Sequence, residues 1–546
     1  ICFSLIIRRL LYTVYILFSY DFRPMLISFM DARGYSLNMN RIDELIKAYS
    51  IDRTTLIISI LSVLTTAIFI LIDPDLAKLS IESTYAFITQ IFGSSYLVLT
   101  LFCFLFLIVI GCSKYGTYKL GGHTAEPEFS YFSWISMLFC SGIGGGIIYW
   151  SSVEWSYYVE IPQFGIDPLS KESYALATAY GLFHWGISAW SIYGIPAIAL
   201  SIAFYKYNLN SLRLSSSLSG LGFKNIESSI FGRFIDLIFI LSTVGAAGGT
   251  IGSYIPMLSS GFSKLFSINN NLSLDIGVIC LCVGLFGFSV YRGLDKGIKT
   301  LSNFNLSLAL FFLLLILLSV DISSLLDISA SGLHYSFKYF WDMSTLGITE
   351  QSEFAKEWTI FYWAWWVAFG PLVGLFIAKI SKGRNLRQVI FGMLFFGTIG
   401  TWLFYLILGG YAMNGELNGQ LNIINDMKTY GHAETAITVI SSLPLGSLML
   451  FIFCLITIVF ITTSYDSMSY VISYHVLKTD GQSTSPHRNL RLSWAIILGI
   501  LPAVLVLYSD HSVALDLILI TSLPLMLVYP LMAISIMKEL KNYEKT

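Results

Sequence analysis

Glu357-Trp-Thr-Ile-Phe-Tyr-Trp-Ala-Trp-Trp-Val-Ala-Phe-Gly-Pro371 carries seven aromatic rings, four of them tryptophan, inside one apolar run. It ends in Gly370-Pro371, with Gly374 just beyond. Lipid-facing helices have little use for so many tryptophans. An interfacial aromatic belt sits at helix ends, whereas this cluster runs into the span towards a Gly/Pro pair. A quaternary ammonium has no N–H to donate, so ring faces must hold it, at about 0.5–2 kcal/mol per well-placed ring. The stretch therefore reads as a membrane span and as part of a cage for such a cation.

The rest of the chain agrees with a membrane setting. Of 546 residues, 55% are hydrophobic and 12% charged, a balance that indicates an all-α polytopic membrane protein. The net charge of −1 gives no global field towards nucleic acid. The seven cysteines lie in or beside apolar segments, with no C-x-x-C pair or His/Cys cluster. They read as small buried hydrophobes, not as a disulfide framework or a zinc site.

Apolar runs long enough for about 20 residues of span recur near 54–73, 86–111, 130–150, 173–204, 234–262, 274–290, 298–320, 357–380, 386–411, 445–475, 492–508 and 513–537. About twelve transmembrane helices are expected. The long 173–204 and 445–475 runs read as tilted or extended helices. One set of loops holds most of the basic residues, among them Lys114, Lys119, Arg213, Arg233, Lys382, Arg384 and Arg387, and this set is cytoplasmic by the positive-inside rule. Both termini then face the cytoplasm of a bacterial-type inner membrane. The outer loop 321–353 contains His334-Tyr-Ser-Phe-Lys-Tyr-Phe-Trp341, read as a short helix on the outer surface.

Residues 1–53 form an N-terminal cytoplasmic region whose role is left open. Arg8 and Arg9 interrupt its apolar start, which does not fit a signal peptide. A short cytoplasmic tail, 538–546, mixes lysine with glutamate, so no strong osmotic switch is expected there.

Two places interrupt the helical pattern. Gly142, Gly144 and Gly146 fall in the third span, and Gly370 with Pro371 in the eighth. Backbone freed inside a membrane must be satisfied by protein, water or ligand. Corresponding interruptions in two halves point to a transporter's binding site. They divide the chain into two five-helix sets, spans 3–7 (about 130–320) and 8–12 (about 357–537), read as repeats of inverted topology. A G-x-x-x-G packing face is the open alternative for Gly142/Gly146, and the preferred reading for Gly245/Gly249.

Trp358-Thr-Ile-Phe-Tyr-Trp-Ala-Trp-Trp366 followed by Ala378-Lys-Ile-Ser-Lys-Gly-Arg-Asn-Leu-Arg387 resembles the signature of the betaine/carnitine/choline transporters. Glu126-Pro-Glu-Phe-Ser-Tyr-Phe-Ser-Trp134, Phe183-His-Trp-Gly-Ile-Ser-Ala-Trp-Ser-Ile-Tyr193, Gly293-Leu-Asp-Lys-Gly-Ile-Lys-Thr-Leu-Ser-Asn303 and Thr462-Thr-Ser-Tyr-Asp-Ser467 match as well. The resemblance covers roughly 54–537. It implies twelve helices in a five-plus-five inverted repeat, alternating access, a homotrimer in membrane lipid, and a small quaternary-ammonium or sulfonium substrate. It places the family's aromatic box on Trp185, Trp190, Tyr193, Trp365 and Trp366, and on Phe369, where the family has Trp or Tyr. On an ideal helix Trp185 and Trp190 point about 140° apart, so they are expected at different stations.

The resemblance also implies a sodium site. Its ligands would be the hydroxyls of Thr463 and Ser464, with Phe460 one turn earlier and backbone carbonyls of Cys140 and Ile143. Such oxygens suit a hard cation, whereas helix back-bonding is the plainer reading of the hydroxyls. A second site would use Thr243, but Ala247 stands where its companion hydroxyl would be. The family's sodium-independent exchangers have an arginine in span five and a methionine in span eight. Here span five lacks Lys and Arg between Asp236 and Ser263, and the span-eight position is Val373. Sodium-coupled uptake is expected, with a carnitine/butyrobetaine-type exchanger as the alternative and a channel as a weaker one. Glu154 reads as a cap or gate, His184 as a packed ring, and Asp466 as orienting span ten. No cofactor is expected, and no enzyme motif is present: H-E-x-x-H, nucleophile elbow and P-loop lysine are all missing.

Overall fold

The computed structural model describes residues 51–543, apart from 142–144, 208–212, 224, 293, 349–351, 478–485 and 509–510. Among the described residues, ten helices are long and apolar enough to cross a membrane. They become eleven if Asn303–Leu317 and Ile322–Lys338, bent by 112°, count as one more.

Helix α1 (Arg53–Ile72) begins where the Asp52 carboxylate accepts from Thr55 N at 3.4 Å. Helix α2 (Pro74–Cys112) starts at a proline behind the capping Asp73, well ahead of the expected start near 86. The third expected span holds two short helices, α3 (Tyr131–Ser141) and α4 (Gly145–Val153), followed by α5 (Trp155–Glu160). Gly142, Ile143 and Gly144, where the sequence placed an interruption, lie outside the described residues, as does the side chain of Cys140.

The fourth span corrects an expectation. It is not one extended helix but two, α6 (Lys171–His184) and α7 (Ile187–Lys206), parted at Trp185-Gly186. The freed carbonyls find donors on the ninth span. Thr401 Oγ1 donates to Trp185 O at 2.5 Å, and Trp402 Nε1 to Leu182 O at 2.8 Å. A Cβ on Gly186 would stand 2.2 Å from Leu182 O.

Next come α8 (Ile230–Phe266), α9 (Leu272–Arg292), α10 (Leu294–Leu317), α11 (Ile322–Lys338) and α12 (Phe340–Thr345). The aromatic run 334–341 spans the junction of α11 and α12, with Phe337 and Trp341 exposed. Helix α13 (Ile360–Ile380) follows a π-turn at Ala355–Thr359. Helix α14 (Leu386–Leu417) contains two more, Met393–Gly397 and Tyr405–Gly409. The segment α15 (Ile423–Ser441), which the apolar pattern did not reveal, is two helical pieces kinked at Gly431 (φ 76°) and precedes α16 (Gly446–His475). The chain ends in α17 (Arg488–Tyr508), α18 (His511–Met526) and α19 (Val528–Tyr543).

The eighth span also departs from expectation. Gly370 and Pro371 do not break it: α13 is helical throughout, with Pro371 inside. The glycines serve close packing. A Cβ on Gly370 would meet Tyr529 Oη at 1.9 Å, and one on Gly374 would meet Ala197 N at 2.8 Å. Helix α7 therefore lies directly against α13, which brings the aromatic residues of spans four and eight face to face.

The basic loops after α2 and α13 are knit together. Arg387 Nε donates to Gly111 O at 2.7 Å, Arg384 to Phe129 O at 2.7 Å, and Lys119 bridges Asn385 in antiparallel fashion. Both loops were assigned to the same side by charge.

Candidate substrate cavity

Helices α4, α7, α8, α13 and α16 enclose a cavity of about 160 Å³. Its aromatic wall is Trp185, Tyr193, Trp365, Trp366 and Phe369, completed by Tyr254, Phe460 and Tyr465. Trp366 is the central ring. Its centroid lies 4.6 Å from Tyr193, 5.7 Å from Trp185 and 5.9 Å from Trp190. Trp185 stands edge-on to Trp365 at 6.1 Å. None of the seventeen lining residues carries a charge, so a cation entering the cavity would meet ring faces and small polar groups only.

The sequence-predicted box is not brought together whole. Trp190 is fully buried behind Trp366 and Tyr193, and does not line the cavity. Its ring packs on Gly397, whose Cβ position lies 2.6 Å from the indole. The angle expected for an unbroken helix does not apply, because the chain turns at Gly186.

The sequence-predicted ion residues separate likewise. Ser464 is exposed to the cavity, which Phe460, Ser141 and Gly146 also line. The Thr463 hydroxyl donates back to Val459 O at 2.9 Å, the back-bonding that competes with an ion role. Thr243 is fully buried, off the wall, and its Oγ1 has no hydrogen-bond partner. Ala247 is on the wall, and its carbonyl accepts from Tyr465 Oη at 2.7 Å. Gly146 leaves room for Tyr254, whose hydroxyl would stand 2.1 Å from an added Cβ.

Behind Trp185 lies a group that sequence spacing did not place. Glu154 is fully buried and begins α5, but it makes no side-chain cap bond. Its carboxylate accepts from Tyr158 Oη at 2.7 Å, Tyr362 Oη at 2.6 Å, Trp185 Nε1 at 3.2 Å and Tyr405 Oη. The expected cap or gate is instead the centre of a polar network. His184 is the packed ring expected: Tyr158 Oη lies 3.2 Å from Nδ1 and Thr359 Oγ1 3.1 Å from Nε2. Asp466 ties α16 to its neighbours through Arg491 at 2.8 Å and Ser289 at 2.6 Å. Among the described residues there is no His/Cys/Asp/Glu group that would hold a metal.

Long apolar helices around an uncharged aromatic cavity are the architecture of a polytopic membrane transporter, the class that similarity to known proteins shows. A model of the BCCT, betaine/carnitine/choline family of transporters matches residues 54–545, and the chain belongs to that family. It is 30% identical to the "Carnitine transporter" of Acinetobacter baumannii over 420 residues, covering 77% of this chain and 76% of that protein. It is also 30% identical to the "Uncharacterized transporter YeaV" of Escherichia coli over 431 residues, covering 77% of this chain and 88% of that protein.

Proposed function

We propose that this transporter takes up a small quaternary-ammonium or sulfonium compound, such as glycine betaine, choline or carnitine, together with sodium. The observation that carries this reading is the cavity wall of Trp185, Tyr193, Trp365 and Trp366 without a charged side chain. A permanently methylated cation keeps its favourable ring contacts there, whereas a primary amine would lose hydrogen bonds it needs. The similarity to a carnitine transporter supports the same substrate class.

Sodium coupling is supported by Ser464, whose hydroxyl is exposed in the cavity beside Phe460. The carbonyls of Cys140 and Ile143 complete the proposed ligand set, and Thr243, buried with an unpartnered hydroxyl, is the candidate for a second site. The proposed assembly has twelve spans in a five-plus-five inverted repeat. It forms a homotrimer in the inner membrane, with both termini cytoplasmic.

The test is uptake into proteoliposomes of radiolabelled glycine betaine, choline and L-carnitine, with and without a sodium gradient. Sodium-driven accumulation of one of them is expected. Flux that needs internal substrate and ignores sodium would establish exchange instead.

A further inference from the structure

The cavity wall has no charge of its own, yet one carboxylate stands a single indole behind it. Glu154 Oε2 is 3.2 Å from Trp185 Nε1, and Trp185 lines the cavity while Glu154 does not. Four donors converge on this carboxylate: Tyr158, Trp185, Tyr362 and Tyr405. They come from α5, the α6–α7 junction, α13 and α14, so the network is built by the fold and not by one helix. An ionised carboxylate is acceptor-only, with about four lone-pair sites, and four O–H and N–H donors match that form.

We propose that Glu154 is a positioning residue that selects for positive charge through Trp185. The bond from the indole N–H fixes the ring edge towards α5 and so sets which face meets the cavity. It also draws electron density into the ring, which strengthens the face as a cation acceptor. The carboxylate itself adds negative potential across a water-poor layer, where charge is weakly screened. Direct contact would form a buried ion pair with the ammonium and trap it. Through the ring, the cation is favoured without an ion pair to break at release. This inference rests on the proposed substrate class.

The experiment compares each ammonium compound with its neutral-centre carbon isostere: choline with 3,3-dimethylbutan-1-ol, and glycine betaine with 3,3-dimethylbutanoate. Binding to the purified full-length protein is read by tryptophan quenching. The wild type is expected to prefer the ammonium member. Glu154→Gln is expected to lower that preference about tenfold, the scale of one strengthened cation–π contact, by weakening ammonium binding with little change for the isostere. Glu154→Asp, which keeps the charge, is expected to retain the preference at lower affinity. A purely structural role would weaken both members equally, and that result, or an unchanged preference in Glu154→Gln, overturns the inference. A wild type without any preference overturns the proposed function first.

If Glu154→Gln does not fold, infrared difference spectra of wild type labelled with 13C-glutamate decide the matter. A carboxylate band that moves on ammonium binding is expected. A protonated-carboxyl band moving in its place overturns the inference.

Discussion

Tyr529 donates its hydroxyl to the carbonyl of Val367 at 3.3 Å, at the point where Pro371 removes the helix's own donor. Proline lacks an N–H, so the carbonyl four residues earlier loses its partner. A donor from α19 replaces it, which is why the Gly370-Pro371 pair bends no backbone out of the helix. Tyr529→Phe should leave that buried carbonyl unsatisfied, at a cost of about 1–3 kcal/mol. Pro371→Ala in the same protein should recover part of it by returning the N–H. A double-mutant cycle on thermal stability in detergent checks this, and additive effects would show that the two sites do not communicate.

Trp366 touches Trp185, Trp190 and Tyr193, and it faces the cavity. Trp366→Ala should weaken substrate binding about tenfold or more, from loss of one cation–π contact and its packing. Trp190→Phe should be milder, within about threefold on the same scale. Trp190 is off the wall and its Nε1 has no hydrogen-bond partner to lose. Uptake titrations of the two variants side by side would reverse this order if Trp190 were the contact residue.

The parts of the fold written in one dimension were legible. Long apolar runs located ten of the twelve expected spans as membrane-length helices among the described residues, and the tryptophan-rich run supplied Trp365 and Trp366 to the wall. What escaped was set by partners distant in sequence. Nothing in Phe183-His-Trp-Gly reveals that Thr401 and Trp402 will accept the burden of a broken helix at Gly186. The family resemblance put Trp190 in the box, whereas helical spacing set it apart from Trp185; only Trp185 lines the cavity. Glu154 looked like a terminal cap because three of its four donors lie more than thirty residues away. The Gly370-Pro371 pair misled for the converse reason, since its repair comes from Tyr529.

Gly186 offers a test of the span-four break. A side chain there would stand 2.2 Å from Leu182 O and 2.9 Å from Trp402 Nε1. Gly186→Ala should therefore displace Trp402 or the turn itself and destabilise the protein by about 2–4 kcal/mol, in the range of severe backbone and packing conflicts. Trp185 sits at the same turn, so residual folded protein should also show altered substrate-induced tryptophan quenching. A variant with wild-type melting and quenching would mean that the turn has room that the structure denies.

Ser464 and Thr463 are adjacent hydroxyls in different situations. Ser464 is exposed to the cavity, whereas Thr463 donates back to Val459 O at 2.9 Å. A back-bonded hydroxyl still has lone pairs for a cation, but its proton and rotamer are already committed to the helix. Losing a freely oriented oxygen ligand should therefore cost more at 464 than at 463. Ser464→Ala is expected to raise the sodium concentration for half-maximal uptake about tenfold, near 1.4 kcal/mol, with a smaller rise in Thr463→Ala. Thr463→Ser should stay close to wild type because the hydroxyl is kept. Sodium titrations of initial uptake at fixed substrate measure all three. Equal sodium dependence in Ser464→Ala and wild type would remove Ser464 from the proposed ion site, and with it the main support for the proposed coupling at α16.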